Sequence, residues 1–274
     1  WMTSLKGELT NFLKIQLGIS FLMNNQPSKL EKDKTVYFPI STKRNLLSRL
    51  KRFVSKNQQE KDYISEMLRV IDTFSPDIIH VFGSEKFFGL ISNYTKIPVV
   101  IHLQGIINPY YNAFLPPSFS KYSYIFSAGY SPWKSLKKKL ELSAWKYSSE
   151  REKSILHSCK YFMGRTEWDK RVSKIYSPKS SYFYCSEILR REFYKSEKWI
   201  FNKNRLKLKI ISVISSTPYK GQDTIIKTAN ILRHMNINFE WSVHGINNFS
   251  YINSKQKKDI KNLNINLMGI SSSQ

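Results

Sequence analysis

Runs of almost unbroken Ile, Val, Phe and Tyr, each separated from the next by a helix-length stretch, constrain this chain more than anything else in it. Asp77-Ile78-Ile79-His80-Val81-Phe82-Gly83, Val99-Val100-Ile101-His102, Lys160-Tyr161-Phe162-Met163-Gly164 and Ser181-Tyr182-Phe183-Tyr184-Cys185 are of this kind. A strand with one wet face alternates apolar and polar residues, whereas a strand covered on both faces reads as a continuous apolar run. Strands of the second kind, alternating with helices, predict an α/β fold around a parallel sheet. The polar exits Gly83-Ser84 and Gln104-Gly105 fall at strand carboxyl ends, the edge along which open parallel sheets bind ligands.

The pattern begins again late in the chain. Residues 206–214 predict a strand, 215–221 lead into a helix carrying Ile225, Ala229 and Leu232, and 239–245 and 264–269 predict two more strands. The polar stretch before them predicts a linker over 196–205, with a first domain over 1–195 and the start of a second over 206–274. Within the first, helices are predicted over 1–14 (Leu5, Leu9 and Phe12 on one face), 56–74 (Ile64, Met67, Leu68 and Ile71), weakly over 84–93, and over 134–158 with Leu136, Leu140, Ala144 and Tyr147 inward. Residues 17–22 predict a strand followed by a turn at Asn24-Asn25-Gln26-Pro27, and 35–39 an edge strand, because Pro39 has no N–H for a ladder. Thr166 with Asp169 three residues on predicts a capping box, followed by Trp168, Val172 and Ile175 on one helix face. Residues 106–133, rich in Tyr, Phe and Pro, predict a long irregular loop whose aromatic content favours a packed or substrate-facing segment.

Composition narrows the function classes. The 274 residues are 41% hydrophobic and 14% aromatic, enough for a packed core and too apolar for a disordered basic tail. Two cysteines cannot form a disulfide scaffold, which favours a reducing, cytoplasmic setting. No run reaches the ~18 apolar residues a spanning helix needs. Forty-four Lys and Arg against 20 Asp and Glu give a net charge of +24, an attraction to RNA, DNA, anionic lipid or nucleotide diphosphates alike. Lys134 and Lys137-Lys138-Lys139 stand near a helix N-terminus, where the dipole disfavours cations; they read as a solvated face or as one turned to an anionic surface. Metal-ligand spacing, a Gly-x-Ser-x-Gly elbow and an aromatic RNA-binding signature are all absent from the sequence.

Two places carry candidate chemistry. Ser215-Ser216-Thr217-Pro218-Tyr219-Lys220-Gly221 joins a strand to a helix N-terminus and offers hydroxyls, backbone donors and a cation, a combination that suits a phosphate or pyrophosphate. An ordinary turn, with Pro setting the backbone and Gly allowing close approach, accounts for the same residues. His80 and His102 lie near strand ends, where an imidazole can donate to a sugar or anionic oxygen or exchange a proton; a satisfied core histidine is the plainer reading. His102, followed by Leu103-Gln104-Gly105, is the sharper of the two, and His244 before Gly245 reads either way.

In order along the chain, 76–83, 98–105, Gly164-Arg165-Thr166-Glu167-Trp168-Asp169 and Pro218-Tyr219-Lys220-Gly221 resemble the blocks of a bacterial retaining glycosyltransferase of the GT-B fold, family 4 type, as in capsular and surface polysaccharide synthesis. The resemblance implies two Rossmann-like domains facing across a cleft, with the acceptor mainly on the first and the nucleotide-sugar donor mainly on the second. Lys220 matches the lysine that neutralises the donor diphosphate, with Gly221, Ser216 and Thr217 beside it. His102 matches the position near the reacting sugar and is the implied catalytic residue. Thr166 and Glu167 match the interdomain side of the donor site; Ser215 and Ser216 stand where the family often has an arginine, a cation left to Arg165 or to a residue beyond the fragment. His80, Gln104 and Gly105 fall on the acceptor side.

The resemblance also implies a donor substrate in place of a cofactor, no metal, a glycan or lipid-linked acceptor, peripheral contact with an anionic membrane at its inner face, and no specific nucleic acid. The family's glycine-rich first loop is expected before Trp1 and its paired glutamates after Gln274, so the chain reads as a fragment with an incomplete second domain. Two rivals share the fold: a catalytically inactive basic binding or interaction module, and an NAD-dependent oxidoreductase, against which the missing Gly-x-Gly-x-x-Gly fingerprint counts.

Overall fold

The computed structural model describes residues 2–12, 14–23, 30–41, 56–117, 119–127, 131–198, 200, 206–252, 256 and 260–270. The expected turn at 24–27, linker residues 199 and 201–205, and 271–274 lie outside them. Contacts divide the chain into two compact units, one of Trp1–Asn108 with Tyr147–Glu197 and one of Pro109–Lys146 with Lys198–Gln274. Each is a Rossmann-like α/β unit on a parallel sheet.

In the first unit, β4 (Ile79–Phe82), β5 (Val99–His102), β6 (Tyr161–Gly164) and β7 (Ser181–Tyr184) lie side by side in chain order, all parallel. The helices between them follow from parallel pairing, which needs a crossover at every step. One core joins Val81, Ile101 and Phe162 of the sheet to Ile64 and Met67 of α2 (Lys56–Phe74), Ile155 and Leu156 of α5 (Pro132–Ser158) and Val172 of α6 (Glu167–Tyr176). The stripe predicted for 56–74 packs as expected, with Leu68 and Ile71 beside the buried pair. Residues 87–93 form a 3-10 helix in place of an α-helix. Gly89 disfavours the α form there, and its bare Cα lies so close to Ile155 that an added Cβ would stand 2.5 Å from a methyl group.

A smaller sheet pairs β1 (Leu17–Leu22), β2 (Leu30–Lys32) and β3 (Thr35–Ile40) in the order β1-β3-β2, with α1 (Met2–Asn11) before it. The strand expected at the edge because of Pro39 is therefore central. Its second neighbour, β2, pairs only with Thr35, Val36 and Tyr37, so the missing N–H at Pro39 costs that ladder nothing.

Three further expectations are corrected. The loop expected over 106–133 contains two six-residue helices, α3 (Ile107–Asn112) and α4 (Lys121–Phe126). Both are too short to show periodicity and are held by caps: Ser120 Oγ accepts from Ser123 N, and the first N–H groups of α3 are held by a carboxylate described below. In α5 the inward residues are Ser149, Glu152, Ile155 and Leu156, whereas Leu136, Leu140 and Ala144 are exposed and Tyr147 is half-buried. In α6 the capping box forms as expected, but Trp168 and Ile175 are exposed. Asp169 is tied back to the N–H groups of Arg165 and Thr166, and that rotation turns 169, 172 and 173 inward.

The second unit holds β8 (Leu208–Val213), β9 (Phe239–His244) and β10 (Ile265–Gly269), parallel with β9 in the centre. Phe239, Trp241 and Val243 alternate inward along β9 against Ile225, Ile226 and Ala229 of α8 (Gln222–His234). Residues 109–146 group with this unit, which differs from a division at 195. Aromatic contacts explain it: Tyr110 stacks on Tyr219 at 5.2 Å, Trp145 meets the same ring at 5.5 Å, and Tyr124 meets Tyr251 at 5.6 Å. A short α7 (Arg191–Lys195) closes the first unit. Cys159 and Cys185 are both free thiols. Among the described residues no helix is long and apolar enough to cross a membrane.

Candidate functional site

Strand alternation builds the first group of candidate residues. Val81 faces the core, so His80 and Phe82 share the opposite face, and the register of β4 against β5 sets Phe82 beside His102. The three rings stack. His80 and Phe82 are 4.3 Å apart, His80 and His102 5.3 Å, and His80 Nε2 lies 3.2 Å from His102 Nδ1. One of these nitrogens carries the proton and the other accepts it, so the pair holds together only while at least one ring is neutral. Burial, reinforced by the neighbouring His102, pushes His80 down from 6.5 to about 4. Burial also lowers His102; Glu187 and Asp169 partly restore its basicity and Arg165 opposes them. Both imidazoles are neutral near pH 7.

The exits around them are fixed by one buried acid. Glu152 of α5 accepts from Ser84 Oγ at 2.5 Å, from Ile107 N at 2.9 Å, from Asn108 N at 2.8 Å and from Asn108 Nδ2 at 2.9 Å. A buried carboxylate is costly unless hydrogen-bonded, and four donors offset that cost while pinning the strand exits after β4 and β5. Ser84 also reaches Gly105 O at 3.4 Å. Gln104 lies between these pinned points, and its Nε2 is buried with no hydrogen-bond partner among the described residues.

At the exit of β6, Arg165 pairs with Glu187 at 2.6 Å. The Thr166 hydroxyl accepts from Asp169 N at 3.1 Å, and its carbonyl accepts from Tyr182 OH at 3.1 Å. Its side chain is thus occupied by the cap. Glu167 accepts from Tyr184 OH at 2.7 Å, and that bond, ahead of the nearby Lys170, holds its carboxyl below the ordinary range. Glu167 itself is exposed.

The second group lies in the other unit, at the carboxyl edge of β8. Ser215 Oγ and Thr217 Oγ1 are 2.9 Å apart, Pro218–Lys220 make one 3-10 turn, and Gly221 enters α8 with φ +75, a conformation that favours glycine. Neither the turn nor α8 receives a side-chain cap. Ser216 and Lys220 are exposed, and the Lys220 ammonium stands 5.2 Å from the centre of the Tyr219 ring, itself braced by Tyr110. Gln222, at the first position of α8, is fully buried; its Oε1 accepts from Ser250 N at 2.9 Å, and its Nε2 has no partner among the described residues. Asp223 is paired with Lys227 at 2.9 Å. The loop therefore presents a cation, hydroxyls and uncapped N–H groups together, which is what an oxyanion needs.

His80 and His102 meet directly, Gln104 and Gly105 follow on the same exit, and Arg165 and Glu187 act on His102 through their charge. Ser216, Thr217, Lys220 and Gly221 share one loop of the second unit. Among the described residues no three His, Cys, Asp or Glu side chains gather as a metal site. Sequence reasoning missed Glu152 and Glu187. For Glu152 there was a signal, an acid in line with Ser149, Ile155 and Leu156 on one helix face. For Glu187 there was none, since its pairing depends on β6 lying beside β7.

No family profile matches the chain, and no curated protein sequence matches it. Among solved structures it is similar to sucrose-phosphate synthase from Thermosynechococcus elongatus, at 9% identity and a TM-score of 0.47, over 92% of this chain and 60% of that one. It is also similar to a UDP-glucosyltransferase from Polygonum tinctorium capable of glucosylating indoxyl, at 8% identity and a TM-score of 0.43, over 97% and 68% of the two chains. A protein from O. sativa in complex with UDP and deoxynivalenol-3-glucoside gives 9% identity, a TM-score of 0.41 and the same coverages. The chain thus spans 60% of the length of the first of these.

Proposed function

We propose that this chain belongs to a retaining GT-B glycosyltransferase of the family 4 type. It would transfer a sugar from a nucleotide-diphospho-sugar to a hydroxyl of a growing glycan or lipid-linked acceptor in surface or capsular polysaccharide synthesis, at the cytoplasmic face of a membrane. The observation that carries the reading is the passage from β8 through Ser216, Thr217, Lys220 and Gly221 into α8, a cation beside a helix N-terminus with no side-chain cap at the carboxyl edge of a parallel sheet. The sequence blocks at 98–105 and 164–169 support it, because they fall at the exits of β5 and β6.

In this reading the second unit holds the donor. Lys220 and the N–H groups of α8 take up the negative charge that grows on the leaving nucleoside diphosphate, an interaction stronger in the transition state than in the ground state. Ser216 and Thr217 donate hydroxyls to the same oxygens. His102 presents a neutral imidazole to the reacting sugar, its ring orientation set by His80 and Phe82. In the same reading Arg165, Thr166 and Glu167 are assigned to the donor, and His80, Gln104 and Gly105 to the acceptor.

The test is calorimetric titration of the 274-residue chain with UDP-, GDP- and ADP-sugars, with Lys220→Ala and His102→Ala beside it. One nucleotide class should bind, and Lys220→Ala should weaken it by about 10- to 100-fold, the scale of a charge-assisted hydrogen bond. His102→Ala should leave nucleotide affinity within about threefold while abolishing donor turnover. Absence of binding by all three nucleotide sugars, with tight binding of RNA, would replace this reading with the inactive basic module.

A further inference from the structure

The first half of α5, residues 132–146, has two unlike faces. One is packed: Lys138 Nζ lies 4.6 Å from the Tyr124 ring centre and 5.5 Å from that of Tyr251, Glu141 accepts from Tyr124 OH at 2.9 Å, and Trp145 meets Phe114 at 5.2 Å. The opposite face carries Trp133, Leu136, Leu140 and Ala144, at helical spacings of three and four. Trp133 is 77% exposed and Leu136 and Leu140 are each 45% exposed, so an apolar stripe about 17 Å long is left uncovered by the described residues.

Its flanks decide what covers it. Lys134, Lys137, Lys139 and Lys146 are all exposed along the same segment. Glu141 is the one acid in 132–146 and is engaged on the packed face. An apolar stripe edged by long cationic side chains and headed by a tryptophan suits the boundary of an anionic bilayer. The apolar residues enter the acyl edge, the indole sits at headgroup level, and the lysine stems let their ammonium groups reach lipid phosphates. Protein self-association fits less well, because a two-fold interface would set four lysines of one copy against those of the other.

We infer that this face of α5 is a docking surface for an anionic phospholipid bilayer. It supplies the molecular face for the membrane placement in the transferase reading, and vesicle binding is measured with no sugar donor present, so the two stand or fall separately.

Co-sedimentation of the full chain with large unilamellar vesicles of phosphatidylcholine alone, or with about a third phosphatidylglycerol, tests it. Binding to the anionic vesicles should exceed binding to the neutral ones by tenfold or more and fall at high salt. Two variants dissect it: Trp133→Ser with Leu136→Ser and Leu140→Ser, and Lys134→Gln with Lys137→Gln and Lys139→Gln. Each should cut vesicle binding about tenfold with an unchanged thermal midpoint, since all six side chains are exposed. Loss of binding in the lysine variant with none in the apolar variant would mean general charge attraction and would overturn the assignment. So would absence of vesicle binding, and so would a sedimenting dimer that the apolar variant dissociates, which would make the face a contact between copies.

Discussion

Between pH 7 and pH 4 the stacked histidines of the first unit should cost the fold stability in a way that one variant isolates. His80 titrates at 6.5 when unfolded and at about 4 when folded. Its folded value is depressed, so in that interval the unfolded chain binds more protons, and the stabilisation present above pH 6.5 is lost as the pH falls toward 4. Integrating the two titrations gives a loss of about 2 kcal/mol by pH 5 and about 3 kcal/mol by pH 4, at ~1.4 kcal/mol per pH unit. His102 is lowered as well and adds in the same direction. The perturbation is His80→Phe, which preserves a ring beside Phe82 and removes both the titration and the contact with His102 Nδ1. Urea unfolding at pH 7 and pH 5, followed through the amide signals of β4 and β5, should show the wild type losing about 2 kcal/mol more than the variant. A histidine titration by NMR gives the folded value directly. Equal pH slopes in the two proteins, or a folded His80 that titrates at 6 or above, would refute the reasoning.

Two further substitutions probe the scaffold. Glu152→Ala leaves the Ser84 hydroxyl and the Ile107 and Asn108 N–H groups without their acceptor and should destabilise the first unit by about 3–5 kcal/mol, read as a lower denaturation midpoint; Glu152→Gln should recover part of it. At Gly245, with φ +91, a Cβ would stand 2.1 Å from the Ile214 carbonyl oxygen, so Gly245→Ala should cost at least about 2 kcal/mol in the second unit, measured by hydrogen exchange in β9.

Continuous apolar runs were enough to identify the strands, although of the four in the larger sheet of the first unit only β5 is buried at every position, and β7, at the edge of the sheet, leaves Phe183 and Tyr184 exposed. The runs at 79–82, 99–102, 161–164 and 181–184 all became parallel strands, and the capping box at Thr166 formed because its hydrogen bonds span only three residues. The passage at 215–221 was recognisable for the same local reason: a strand, hydroxyls, a lysine, a glycine and a helix follow one another along the chain.

What needed the tertiary structure was everything set by a neighbour distant in sequence. Pro39 suggested an edge, yet the length of β2 decided that its strand could be central. Leu136 and Leu140 had the spacing of a core stripe, but the rotation of α5 is fixed by Trp145, Lys138 and Glu152 finding partners elsewhere, which leaves those leucines facing outward. His80 and His102 are 22 residues apart, and only the pairing of β4 with β5 brings their rings into contact. Periodicity specifies that a helix has an apolar side and a strand two; which surface covers each side is settled by packing, where the costs of burying Glu152 and exposing Trp133 are weighed together.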